Sequence, residues 1–114
     1  MTRGKAKSAR EERIARGSGN VFADLGFADA EERQTKLRLA YAINQEIARM
    51  GLSQVEAAKI LGASQPKVSS LANYKLEGFS VERLMTFLTA LDHDVEITIR
   101  RSRSRPARIS VVAA

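Results

Sequence analysis

The stretch "GLSQVEAAKILGASQPKVSSL", residues 51–71, decides how the chain folds. Ser53 and Glu56 have the S-x-x-E spacing of a capping box, which predicts a helix from about Gln54 to Leu61. Gly62 stands where a left-handed residue closes such a helix, and Ser64 is the next N-cap, so another helix starts at Gln65. Pro66 suits the first turn of that helix, where an amide has no intrahelical partner to lose. The second run does not continue the first: the chain turns a corner at Leu61-Gly62-Ala63-Ser64.

Two short helices joined by a turn of three or four residues containing glycine form a helix-turn-helix, which presents its second helix to the DNA major groove. At about 100° per residue, Val68, Leu71, Ala72 and the stem of Lys75 fall on one side of that helix and are expected in the core. Pro66, Ser69, Ser70 and Asn73 fall opposite, flanked by Gln65 and Tyr74. That outer face has no carboxylate, as a surface lying among phosphates requires, whereas an ordinary solvated face mixes both signs of charge.

Outward from the corner, Asp29 and Glu32 have capping-box spacing and helix formers run to Met50, with Leu39, Ala40, Ile43, Ile47 and Met50 expected as one buried face. Ser80 caps a fourth helix whose Leu84, Phe87, Leu88 and Leu91 complete a small core. "DVEITIR" (94–100) then alternates with period two, which predicts a strand. Its unpaired amides need a partner, either its own copy across a two-fold axis in a homodimer or residues 21–25 of the same chain. The expected fold is mainly α: four to five helices with one C-terminal β-strand, paired across a dimer in the first of these readings.

Residues 1–20 read as a disordered basic arm, 21–100 as the domain, and 101–114 as an Arg-rich tail. The formal charge of +6 is uneven, because residues 100–114 hold five Arg and no acid while residues 17–99 are mildly acidic. Basic ends around such a centre suit a polyanionic partner, since each neutralised phosphate releases counterions; solvated ends that only aid solubility are the alternative. With no cysteine and one histidine, neither a disulfide framework nor a metal site is expected. His93 is accounted for as a favourable residue at a helix C-terminus. Six scattered aromatics make no stacking platform for single strands, so RNA is the weaker nucleic-acid reading. No nucleophile with a base, no carboxylate pair and no phosphate-binding glycine loop is found, so no enzyme and no cofactor is expected. Without an apolar run of roughly 18 to 20 residues or a signal peptide, a cytoplasmic location with no membrane partner is expected.

"LSQVEAAKILGASQPKVSSLANYK" resembles the Xre/Cro-type helix-turn-helix of phage repressors, with Leu52, Ser53, Gln54, Ala58, Gly62, Ser64, Gln65 and Val68 at the positions of its motif. The likeness covers about residues 37–91, and the flanking chain over about 17–100 further resembles HigA-like antitoxins of bacterial toxin–antitoxin pairs. The resemblance implies that Gln54 meets a backbone phosphate, Gln65 reads adenine in the groove, and Ser64 and Lys67 touch phosphates. Ser69, Ser70 and Asn73 would supply further contacts, while Pro66 replaces a polar reader and offers only apolar contact, for instance to a thymine methyl. The implied partners are double-stranded operator DNA, a second copy of the chain and a RelE-like ribonuclease toxin. A repressor without a toxin is the other reading.

Overall fold

The computed structural model describes residues 29–103 and 107–113. The basic arm and the stretch "VFADLGF" (21–27), including the alternative strand partner at 21–25, lie outside them. The chain divides into two units, residues 1–34 and 35–114, and of the first only the opening of the first helix is described.

Four α-helices follow in order among the described residues: α1 (Asp29–Met50), α2 (Gln54–Leu61), α3 (Gln65–Ala72) and α4 (Val81–Ala90). Asp29 is itself the first helical residue of α1, not the residue before it. Three of the expected caps form as the sequence indicates. Ser53, Ser64 and Ser80 have extended backbones and accept through their hydroxyls from the amides of Glu56, Lys67 and Arg83. Gly51 and Gly62 close α1 and α2 at φ +67 and +66, the left-handed region that a side chain penalises.

In the second unit Leu39, Ala40 and Ile43 of α1 share a core with Ala57 and Leu61, Val68 and Leu71, and Leu84, Phe87 and Leu88. α2 packs against both α3 and α4. Leu76 and Phe79, in the connection between α3 and α4, are also buried, and Phe79 meets Phe87 edge-on with ring centroids 6.0 Å apart. Burying a side chain such as Phe87 contributes roughly 1.5–3 kcal/mol, and these connecting residues tie the corner to α4.

Three expectations about burial are corrected. Met50 is 41% exposed because α1 ends in its neighbourhood, and Leu52, drawn back by its amide to the Ile47 carbonyl (3.1 Å), packs on the core instead. Ala72 and Lys75 are exposed. α3 stops at Ala72, Asn73 caps it, and the chain turns through Tyr74 at φ 59, so Leu76 takes the inward place that continued helical spacing assigned to Lys75.

No strand occurs among the described residues. Val95 packs partly against the core, but Ile97 and Ile99 are 73% and 91% exposed, so residues 94–100 carry the alternating pattern without a ladder among the described residues. Further on, Val111 returns to the core of the same unit, and its carbonyl accepts from Arg38 Nη1 of α1 at 3.1 Å.

Candidate nucleic-acid interface

The corner sets the site. Gly62 donates its amide to the Ala58 carbonyl and Ala63 follows onto the same oxygen (3.0 Å), which turns the chain so that Ser64 opens α3. The α3 residues Gln65, Pro66 and Lys67 are exposed, Ser69 and Ser70 are half-buried, and Val68 and Leu71 are buried. No acidic residue stands on α3, so the carboxylate-free face expected from the sequence is formed.

The three helix starts around this face share a serine cap and contrast in charge at the third helical residue, with Glu82 also in the first turn of α4. In α2, Ser53 accepts from the Glu56 amide (3.1 Å) and the Glu56 carboxylate accepts from the Ser53 amide (2.8 Å), a closed capping box with its own anion. In α3 and α4 the third helical residue is a cation: Lys67 after Ser64 and Arg83 after Ser80. A cation at a helix N-terminus opposes the macrodipole and costs roughly 0.3–1 kcal/mol.

Both cations fold over aromatic rings toward one cleft. Lys67 Nζ donates to the Gly78 carbonyl (3.0 Å) and lies 4.8 Å from the Phe79 centroid. Arg83 Nη2 donates to the Gly62 carbonyl (3.3 Å), and its guanidinium carbon lies 4.9 Å from the Phe87 centroid. Ser64 and Ser80 line the same cleft, so the beginnings of α3 and α4 converge on it. Pro66 has no N–H and the Lys67 amide is capped, which leaves the Gln65 backbone amide unspent at the start of α3. Two positive side chains beside two helix N-termini are suited to holding an anion such as a phosphate.

The site residues expected from the sequence divide into groups. Ser64 and Lys67 face the cleft, and Gln65 and Pro66 are exposed on the first turn of α3 next to it. Gln54 is exposed at the start of α2, where Glu56 already supplies negative charge. Asn73 is turned back, its Nδ2 donating to the Ser69 carbonyl at 2.9 Å. Asn44 of α1 holds the other end of α3 through its Nδ2 to the Leu71 carbonyl (3.1 Å). Arg83 was missed by sequence reasoning, and Ser80 was recognised only as a cap. The legible signal was the pair S-x-x-K and S-x-x-R where a capping box has S-x-x-E.

A separate polar cluster braces the end of α1. Glu46 is 8% exposed and accepts from Arg49 through both carboxylate oxygens, with His93 Nε2 at 3.6 Å. The hydrogen bonds from Arg49 foremost, then its charge and that of His93, hold the Glu46 carboxyl below its ordinary pKa against the opposing effect of burial. No group of His, Asp or Glu among the described residues could hold a metal ion. No described helix is long and apolar enough to cross a membrane.

A family described as a helix-turn-helix domain matches residues 21–100. A solved structure named as an XRE family transcriptional regulator is 73% identical, with a TM-score of 0.73, over 76% of this chain and 100% of that one. No curated protein matches the chain.

Proposed function

Because the chain belongs to the XRE family of helix-turn-helix transcriptional regulators, we propose that it binds double-stranded operator DNA sequence-specifically as a homodimer. The observation that carries this reading is the pair of cations at the starts of α3 and α4, beside a helix face without carboxylates. Their placement is unfavourable to the isolated helices and becomes favourable when a phosphate lies between them.

In this mechanism α3 enters the major groove. Lys67, Arg83 and the Gln65 amide grip one backbone phosphate region, and Gln54 with the start of α2 meets another. Phosphate contacts fix the register and base contacts specify. The Gln65 side-chain carboxamide pairs with adenine, a contact worth about 1–3 kcal/mol of discrimination. Pro66 lies against a thymine methyl, and Ser64, Ser69, Ser70 and Asn73 supply the remaining polar contacts. Residues 94–100 pair with their copy across a two-fold axis, which sets two reading helices about 34 Å apart, one DNA turn. The exposed Ile97 and Ile99 and the missing ladder support this pairing. The regulator is read further as a HigA-like antitoxin that represses its own operon and neutralises a RelE-like toxin.

Selection of bound duplexes from a random library at about 150 mM salt, for the wild type and Gln65→Ala, tests the reading. A palindrome with half-sites one turn apart, lost in the variant, is the expected result. No enrichment for either protein would overturn sequence-specific binding. A monomeric mass by light scattering would overturn the dimer. If the neighbouring small reading frame fails to co-purify and leaves growth unaffected, the repressor stands without a toxin.

A further inference from the structure

Gly78 stands in the connection between α3 and α4, in a turn that the Phe79 amide closes onto the Leu76 carbonyl at 3.0 Å. Its φ is not positive, so Gly78 lacks the left-handed backbone of Gly51 and Gly62, and such a turn admits residues with side chains. The backbone therefore does not account for a glycine here. A Cβ at this position would meet a single atom within 4 Å, the Lys67 ammonium nitrogen at 3.2 Å. The bare Cα leaves the space in which Lys67 Nζ donates to the Gly78 carbonyl (3.0 Å) beside the ring of Phe79.

A long side chain at an exposed helix start samples many rotamers and loses that freedom when it grips a ligand. In this protein the Gly78 carbonyl and the Phe79 face hold the Lys67 ammonium before any ligand arrives. Phe79 is itself fixed: it is 4% exposed and lies edge-on to Phe87, whose ring carries Arg83. The Gly78 carbonyl takes one of the three ammonium N–H groups, which leaves two for an anion in the cleft.

We propose that Gly78 is a positioning residue for phosphate binding, whose carbonyl and missing side chain seat Lys67 in the cleft in the geometry that meets the DNA backbone. This rests on the DNA-binding reading above. Gly78 touches no DNA itself and acts through Lys67. A phosphate carries no sequence, so the effect is the same on every duplex.

The test is a double-mutant cycle on the full chain with Gly78→Ala and Lys67→Ala, using the selected operator and an unrelated duplex of equal length, with affinity followed by fluorescence anisotropy. Gly78→Ala alone should weaken binding to both duplexes roughly two- to tenfold per protomer, the cost of ordering one long side chain. In the Lys67→Ala background the same change should have no effect. Its thermal midpoint should not fall, because the atom that the new Cβ meets is the far end of a flexible side chain. Wild-type affinity in Gly78→Ala would overturn the proposal, as would equal weakening in both backgrounds or a lowered midpoint, which would make the glycine a requirement of the turn. In the free protein, nitrogen-15 relaxation of Lys67 Nζ should report faster motion in Gly78→Ala, and unchanged relaxation would overturn the seat whatever the DNA result. A wild type that binds neither duplex, with Lys67 still released by the substitution, would overturn the DNA-binding reading and leave the seat standing.

Discussion

Replacing Lys67 and Arg83 together by glutamine tests whether the cleft at the starts of α3 and α4 serves the fold or a phosphate. In the free protein each cation gains a carbonyl hydrogen bond and an aromatic contact, at 4.8 and 4.9 Å from the ring centroids. For exposed groups the hydrogen bond is worth about 0.5 kcal/mol, at the lower end of the usual range, and the aromatic contact about 0.5–1 kcal/mol. The helix dipole takes back roughly 0.3–1 kcal/mol at each site. Glutamine at this position can also close a capping box, as Glu56 does after Ser53. The net loss is therefore about 0.5 kcal/mol per site, and the double variant should melt no more than about 8 °C below the wild type. Binding should change far more. Two lost phosphate contacts lower the salt slope by about 1.8 and weaken binding roughly 30-fold at about 0.15 M salt, equally for operator and unrelated DNA. Calorimetry or circular dichroism gives the midpoint, and anisotropy over a salt series gives the slope. A full wild-type slope in a variant with a lowered midpoint would refute the reasoning and make both cations stem-packing residues of the core.

Gly62→Ala adds a Cβ that meets nothing within 4 Å, so its cost is that of the left-handed backbone alone, about 1–2 kcal/mol by urea denaturation; a loss above about 3 kcal/mol would refute this open corner. Phe87→Ala should cost about 3–5 kcal/mol, because the ring is 1% exposed and underlies both Phe79 and Arg83, and a loss below 2 kcal/mol would contradict this packing. The lowered pKa of Glu46 means that the unfolded chain binds this proton more readily than the native one, so its stabilisation is present at neutral pH and is lost as pH falls through the carboxylate range. Glu46→Gln should accordingly flatten the fall of the thermal midpoint between about pH 5 and about pH 3, and an unaltered slope there would remove Glu46 from the acid response.

The features legible from the residues alone are local ones. Ser53, Ser64 and Ser80 cap, and Gly51 and Gly62 terminate, because a cap depends on amides within three residues and a left-handed φ on the absence of a side chain. The carboxylate-free face of α3 was legible for the same reason: helical spacing relates residues one turn apart. The same spacing misassigned Met50, Ala72 and Lys75 at the ends of helices, where the helical geometry stops and a few loop dihedrals decide which side chain turns inward. The period-two pattern at 94–100 could announce a strand but not supply a partner for it, since a ladder is a property of two segments. Only the tertiary structure set Lys67 and Arg83, sixteen positions apart in sequence, over neighbouring rings of one cleft. It alone also brought Val111 back to Arg38 across 73 positions. The first of these arises from packing α2 against α3 and α4 around a shared core, and no local rule spans either distance.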